Sequence, residues 1–574
     1  MAVSNMHADL LIHGNLVNVY SGNITESYIG IKDRRIIYVG GKRIRALKDL
    51  DLSSKYILPA YIDGHVHIES SLVTPSQFAL AVIPRGTCCV IADPHEIANV
   101  CGVEGIKFMI EDSSRTPLKV YFMIPSCVPA TSLETSGAKI GLKEIEELKG
   151  TERILGLGEV MNFPGVIKGE EEVMAKIEAC EGMVIDGHAP GLRGEALCAY
   201  IAAGIQSDHE SIAAEEATEK LSLGMWVMIR EGSTAKNLSE LACIISKGCP
   251  ERTMLVTDDQ HADDLLAEGH LDHVLRRAVE EGIDAVDAVR MVTVKPAEYF
   301  GLRRLGGISP GKWADIVIVD DLEEFKAEMV FIDGRLVAKE GKYLGSIGEP
   351  IVKRAVEKTV HLGEMHPEDF SIVYHGQEET RVEEAEVRVI KIIPDQIVTD
   401  EARCKLPVER DKILPDLERD IVKICVVERH HETGRIGRGF VKGFGLKKGA
   451  LASTVAHDSH NIVAIGVSDD EICMAVNRLR EINGGLVAVS GNEVKSELPL
   501  PIAGLMSDRG VKFVAEKMDD LNESAHDLGC RLRSPFMALS FLALPVIPKL
   551  KITDYGLVDV EKMKIVDLLL SIPD

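Results

Sequence analysis

Between Tyr56 and Asp259 the chain carries eight short apolar runs, and each ends in polar or charged residues. They are Tyr56–Asp63, Cys88–Pro94, Lys119–Ser126, Ile154–Met161, Met183–Pro190, Ile205–Glu210, Trp226–Gly232 and Thr253–Asp259. Segments of helical length lie between them at 75–85, 102–113, 170–180, 193–203, 213–223 and 237–248, several with apolar residues three and four apart. Strands alternating with helices in this way predict an α/β fold, a (β/α)8 TIM-like barrel whose chemistry gathers at the C-terminal ends of the strands. A doubly wound open sheet is the rival. It calls for a phosphate-type Gly loop after an early strand, and none occurs.

The flanks read differently. Residues 9–20 and 28–39 are rich in β-branched and aromatic residues and are parted by Gly22 and Asn23, which predicts short antiparallel strands. After the eighth run, 313–320 and 329–337 are again strand-like. We expect 1–55 and 305–345 to form one small composite β domain around a barrel of 56–304. The Ser-Ile-Gly-Glu-Pro stretch from 346 marks a boundary, and 346–574 is long enough for a separate C-terminal α+β domain. Its strand-like runs are 387–393, 420–427, 461–467 and 485–490; its helix-like segments are 469–482 and 508–527.

Charge narrows the partners. Lys plus Arg is 65 against 90 for Asp plus Glu, a net charge of −25, and such a field repels phosphate backbones and anionic lipid. We therefore expect no nucleic-acid and no membrane partner; a neutral small-molecule substrate in a closed pocket stays open. The basic run 429–439 is expected to be a surface loop. Twelve scattered cysteines without a C-x-x-C pair, and a first segment with no secretory pattern, predict reduced thiols and a cytoplasmic protein. Phe536–Ile547 is too short to span a bilayer. A homo-oligomer is expected.

The strand ends carry the chemistry. The first run continues as D-G-H-V-H, and His65 and His67, two apart on a strand, face one side and can reach one metal. Others are Asp93, His95 and Glu96 in D-P-H-E, Glu159 in G-L-G-E, His188 in D-G-H-A-P, His209 and Glu210 in S-D-H-E, and Asp258 and Asp259 in V-T-D-D. A single strand-end His is usually a satisfied hydrogen-bonding residue. Four His, one Glu and one Asp, gathered at the same end of five separate strands, point instead to a metal site.

Over residues 9–340 the chain resembles the amidohydrolase superfamily, through P-A-Y-I-D-G-H-V-H (59–67), His188, His209, Asp258 and P-G-K-W-A-D-I-V-I-V (310–319). Within it the chain resembles the adenine deaminases, through A-D-P-H-E-I-A-N-V (92–100), G-L-G-E-V-M-N-F-P-G-V (156–166), D-G-H-A-P-G-L (186–192) and T-V-A-H-D-S-H-N (454–461). Where several superfamily members carry a bridging carbamylated lysine, this chain has Glu159. Where mononuclear adenosine deaminases have a Glu three residues after the fifth-strand His, it has Gly191. The resemblance therefore implies two divalent metal ions on His65, His67, Glu159, His188, His209 and Asp258, with Mn²⁺ foremost. Mixed nitrogen and oxygen ligation leaves Fe²⁺ and Zn²⁺ open.

The reaction implied is hydrolytic deamination of adenine by water, through a metal-bridged hydroxide, to hypoxanthine and ammonia. It needs two acid–base groups. Asp258 is assigned the water's proton, and Glu96 ring protonation with help from Asp93 and His95; these three can also be read as residues that merely hold the ligands. Asp259 is expected to face away. Glu210 is read as a support for His209, and Ser126 and Arg230 as candidate substrate contacts. His457 and His460 stand without a further ligand cluster in the sequence, and a role at a domain junction or lid is expected for them. Two other readings stay open. One is another binuclear hydrolase cleaving a cyclic amide; the other is a non-catalytic scaffold on the same fold.

Overall fold

The computed structural model describes residues 7–245, 251–348, 350, 353–374, 382–394 and 396–570. They divide into two compact units. The first comprises the described residues of Met1–Pro94, Met109–Ser126 and Gly141–Pro350; the second those of His95–Phe108, Cys127–Ile140 and Ile351–Asp574.

The first unit opens with strands β1 (His7–Asn18), β2 (Asn23–Lys32), β3 (Arg35–Gly40) and β4 (Arg45–Pro59). The run 28–39, expected as one strand, is broken because Asp33 adopts a left-handed φ of 53° and turns the chain. Polar residues with local hydrogen bonding tolerate that conformation better than β-branched ones.

The barrel strands follow: β5 (Tyr61–His67), β6 (Thr87–Ala92), β7 (Lys119–Pro125), β8 (Ile154–Val160), β9 (Val184–Gly187), β10 (Ser207–Asp208), β11 (Trp226–Arg230), β12 (Thr253–Val256) and β13 (Asp258–Asp259). All pair in parallel, in the orders β13-β5-β6-β7-β8-β9 and β10-β11-β12. Single backbone bonds continue the hydrogen bonding past β9: Gln206 N–H donates to Ile185 O at 2.9 Å, and Trp226 N–H to Gln206 O at 2.8 Å. Every residue of β5 and β6 is buried, as a parallel sheet covered on both faces requires. This is an α/β, TIM-like architecture. Of its helices, Leu238–Ile245 covers the start of the expected 237–248; residues 246–248 lie outside the described ones.

Strands β14 (Ile316–Val319), β15 (Ala327–Ile332), β16 (Arg335–Lys339) and β17 (Lys342–Tyr343) return to the first four in the sheet β17-β16-β15-β14-β4-β1-β2-β3. Ile12, Ile29, Ile57, Ile316, Ile318 and Phe331 bury one face of it. Full burial of such side chains stabilises by about 1.5–3 kcal/mol each. The run 329–337 is again two strands, turned at Asp333 and Gly334, both at positive φ.

The second unit carries a nine-stranded sheet in the order β20-β19-β18-β22-β21-β24-β23-β25-β26. Its strands are β18 (Glu384–Ile392), β19 (Thr399–Glu409), β20 (Lys412–Ile413), β21 (Ile421–Val427), β22 (Ile436–Lys442), β23 (Ala450–Ser453), β24 (Ile462–Gly466), β25 (Gly485–Ser490) and β26 (Glu493–Pro499). Three more form a small sheet, β27 (Leu550–Thr553), β28 (Gly556–Asp559) and β29 (Lys564–Val566). The helix Asp469–Glu481 shows why the sequence was readable here. Ser468 caps it, acids fill its first turn, Arg478 and Arg480 its last, and Ile472, Val476 and Leu479 pack on the sheet.

The run 429–439 is not a surface loop. Arg429 and His430 are buried, only Glu432–Gly434 and their neighbour His431 are exposed, and Ile436–Lys442 is strand β22. The Arg429 guanidinium finds enough carbonyl acceptors to be buried, a compensation that local charge cannot reveal. No helix among the described residues is long and apolar enough to cross a membrane.

Candidate metal centre

His65 and His67 end β5 with their Nε2 atoms 3.2 Å apart. Glu159, one residue before the end of β8, splits its oxygens between two groups of imidazoles. Its Oε1 is 3.2 Å from His65 Nε2 and 2.9 Å from His67 Nε2. Its Oε2 is 3.0 Å from His188 Nδ1 and 3.6 Å from His209 Nε2, just past β9 and β10. Asp258 Oδ1, on β13, is 3.4 Å from His65 Nε2 and 3.1 Å from His67 Nε2. The structure thus brings all six sequence-predicted ligands together.

The spacing suits cations. Four ligands on bonds of about 2.1 Å stand about 3.4 Å apart, which these separations bracket. A carboxylate divided in this way could bridge two ions. His67 Nδ1–H donates to the Asp93 carbonyl at 3.0 Å, which leaves its Nε2 lone pair aimed at the centre. Burial presses the imidazoles toward neutrality, but the Asp258 and Glu159 carboxylates outweigh it and lift His65 to about 10 and His67 well above its ordinary range. Asp258 runs the other way: burial would raise it, yet the bonds from His65 and His67 and the Arg230 charge hold it well below. The cluster is an excess of buried carboxylate that calls for positive charge. Divalent cations would supply it.

Both carboxylates of the cluster sit on unusual backbone, Glu159 at φ 25° and Asp258 at φ 62°. Such strain collects at functional sites. Ser126 Oγ–H donates to the Glu159 carbonyl at 2.7 Å, and Lys176 donates to the Ser126 carbonyl at 2.7 Å, so Ser126 steadies the strained turn.

The left-handed turn at Asp258 also overturns the expectation for Asp259. Strand alternation would send consecutive side chains to opposite faces. With alternation broken, carboxylate oxygens of Asp258 and Asp259 and a ring nitrogen of His67 lie within 4.8 Å of one another. Ser70 Oγ holds Asp259 Oδ1 at 2.5 Å.

Of the remaining predicted residues, Asp93 belongs to the first unit, one residue before its segment ends at Pro94, whereas His95 and Glu96 open the helix His95–Ser113 and belong to the second. Asp93 owes its place to Gly158, where a Cβ would lie 1.9 Å from Asp93 Oδ2. In the second unit His457 and His460 do have a ligand-type neighbour. Glu96 Oε1 lies 2.5 Å from His457 Nδ1, and Glu96 Oε2 is bonded by His460 Nε2.

Comparison with known proteins gives the arrangement its context. Residues 56–337 match the amidohydrolase family, and residues 396–564 match the adenine deaminase C-terminal domain. The chain is 46% identical to adenine deaminase 2 of Carboxydothermus hydrogenoformans, over 99% of this chain and 98% of that one. It is 47% identical to the adenine deaminase of Archaeoglobus fulgidus, over 99% and 97% of the two chains. For that of Methanothermobacter thermautotrophicus the identity is 48%, over 97% and 100%. The chain belongs to the adenine deaminase family.

In this adenine deaminase family member the amidohydrolase segment holds all six clustered residues, and the C-terminal segment holds His457 and His460. Two features around the cluster escaped sequence reasoning. Arg230, read as a substrate contact, grips Glu210 through both of its terminal nitrogens and donates to Asp258 Oδ2 at 2.9 Å. Beneath His65, Asp63 accepts the His65 N–H at 3.2 Å and the Thr257 hydroxyl at 2.6 Å, and His270 Nε2 lies 3.2 Å from its Oδ2. Asp63 stood inside the D-G-H-V-H motif and could have been singled out. His270 lies in no strand-end pattern, so nothing in the sequence marked it.

Proposed function

We propose that this chain hydrolyses adenine to hypoxanthine and ammonia at the centre built around Glu159. The observation that carries the reading is the division of the Glu159 oxygens between two imidazole groups, in a chain that matches named adenine deaminases along nearly its whole length. It is a metal-dependent hydrolase acting on C–N bonds. His65, His67 and Asp258 would hold one divalent ion, His188 and His209 the other, and Glu159 both, with Mn²⁺ the metal proposed. When bound, the pair supplies water activation near neutral pH.

The chain's own residues manage the protons. Asp258, ionised and fixed by Arg230, accepts the proton of the attacking water and passes it to the departing amine. Ring protonation is assigned to Glu96, which takes the remaining hydroxyl proton of the attacked water and delivers it to the ring nitrogen, with Asp93 and His95 beside it in sequence. We assign catalysis to a closed barrel of 56–304, with 1–55 and 305–345 as the small β domain and 346–574 as the C-terminal domain. A cytoplasmic homo-oligomer is the proposed working form.

The test is ammonia release from adenine, adenosine, cytosine and guanine by Mn²⁺-reconstituted protein. Adenine should be the preferred substrate, chelation should abolish turnover, and about two metal equivalents should restore it. Full turnover at one equivalent would overturn the binuclear reading; preference for another base would overturn the substrate.

A further inference from the structure

The buried group Glu96, His457 and His460 is composed like a metal site. Its hydrogen bonding says otherwise. The Ala456 N–H donates to His460 Nδ1 at 3.1 Å, so the ring's own proton must sit on Nε2 when it is neutral. That nitrogen faces Glu96 Oε2 and donates to it. A cation there would need a lone pair this tautomer does not offer. His457 Nδ1 meets the other oxygen at 2.5 Å, so each carboxylate oxygen has its own imidazole.

We propose that His457 and His460 are positioning residues for Glu96, two imidazoles that fix the plane of its carboxylate and keep it ready to accept a proton. The proposal rests on the reading that Glu96 handles protons in deamination. The loop that bears the pair is built for rigidity. His460 stands at φ 56°, in the left-handed region that few non-glycine residues occupy. Its N–H bonds Ala456 O at 2.7 Å, and its own carbonyl accepts from Nε of the fully buried Arg429. Arg429 is held in turn by Thr359 Oγ1 at 3.1 Å and Ala503 O at 3.0 Å. His457 is fixed by Ser540 Oγ, which accepts its N–H at 3.2 Å, and by stacking on Phe541 with ring centres 4.9 Å apart. So much order around two side chains is a large entropic outlay for a mere surface turn.

The charged surroundings agree. Burial presses His460 down to about 4, so it is a neutral donor near pH 7. Burial would raise Glu96, but the surrounding imidazoles hold it well below the ordinary carboxylate range, and it enters a cycle as an acceptor. His95 Nε2 lies 3.5 Å from Glu96 Oε1 and 3.9 Å from Asp458 Oδ1; Glu134 faces Asp458, and Arg429 stands behind His460.

The geometry offers matched replacements. An Asn amide nitrogen falls near a histidine Nδ1, and a Gln amide nitrogen near Nε2. In the full-length, Mn²⁺-loaded protein, His457→Asn and His460→Gln should keep most of the adenine kcat. The mismatched amides His457→Gln and His460→Asn, and the leucine variants, should lose about 10²-fold, the low end for a lost acid–base group. KM and the content of metal should stay near wild type throughout. Equal turnover in matched and mismatched amides would overturn the proposal, as would a third bound metal that these variants lose. Glu96→Gln separates the two readings. If it alone keeps full turnover, the role of Glu96 fails; if it is inactive while the histidine variants are unaffected, only the positioning pair fails.

Discussion

Arg230 Nη1 donates to Asp258 Oδ2 at 2.9 Å, while the other oxygen of the same carboxylate lies 3.1 Å from His67 Nε2. One oxygen is thus tied to a fixed cation and the other is aimed into the centre. The guanidinium can do this because its planar fork also grips Glu210.

Arg230→Lys keeps the charge but loses the fork. A charge-assisted hydrogen bond is worth about 1.5–3 kcal/mol, so kcat for adenine should fall about 10- to 100-fold with little change in KM. Arg230→Met should also lower Tm, because it leaves the largely buried Glu210 unpaired. Wild-type kcat in Arg230→Lys would show that the fork does not orient Asp258.

Gly158→Ala tests how Asp93 is seated. The new Cβ would lie 1.9 Å from Asp93 Oδ2 and 2.9 Å from the Met123 Cβ, so something must shift. Overpacking of this kind costs about 1–3 kcal/mol. Asp93 also receives the His67 Nδ1–H on its carbonyl, so the shift should weaken metal retention as well as lower Tm. Adding Asp93→Ala should recover part of the lost Tm. No recovery would place the strain elsewhere.

Asp258→Asn should cut kcat by about 10²- to 10⁴-fold even with excess Mn²⁺, since it removes a base and weakens a ligand. Asp259→Asn should act on metal retention more than on kcat, because its carboxylate joins His67 and Asp258. The pair is read from metal content and kcat measured on the same preparations. Loss of kcat in Asp259→Asn with metal fully retained would reverse the two roles.

These cases show what the sequence could disclose. The strand ends were legible because burial on both faces leaves near-continuous apolar runs, and H-x-H on a strand has one geometric meaning. The helix Asp469–Glu481 was legible because its cap, charges and apolar stripe agree. The failures share a different cause. Asp33, Asp333 and Asp258 all take positive φ, and each changes which way the next residues run or point. Nothing in a periodicity argument registers such a turn. The meeting of Glu96 with His457 and His460 spans more than 360 positions, as the separations of 361 and 364 show, and no local pattern encodes it.

Lys551 on β27 gives a prediction that is independent of the metal centre. Its Nζ is buried and donates to Ile397 O at 2.8 Å and Phe541 O at 3.0 Å, two acceptors for the two N–H groups of a neutral amine. Burial lowers it from 10.5 to about 7. Between those values the unfolded chain binds the proton and the folded chain does not, so stability rises with pH across that window and is flat in this contribution below it. Lys551→Met removes the group from both states. The difference in Tm between wild type and Lys551→Met should therefore move in favour of wild type as pH rises from about 7 toward 10, whatever the other titrating groups contribute. Parallel Tm curves for the two proteins over that range would mean that the amine stays charged where it is buried.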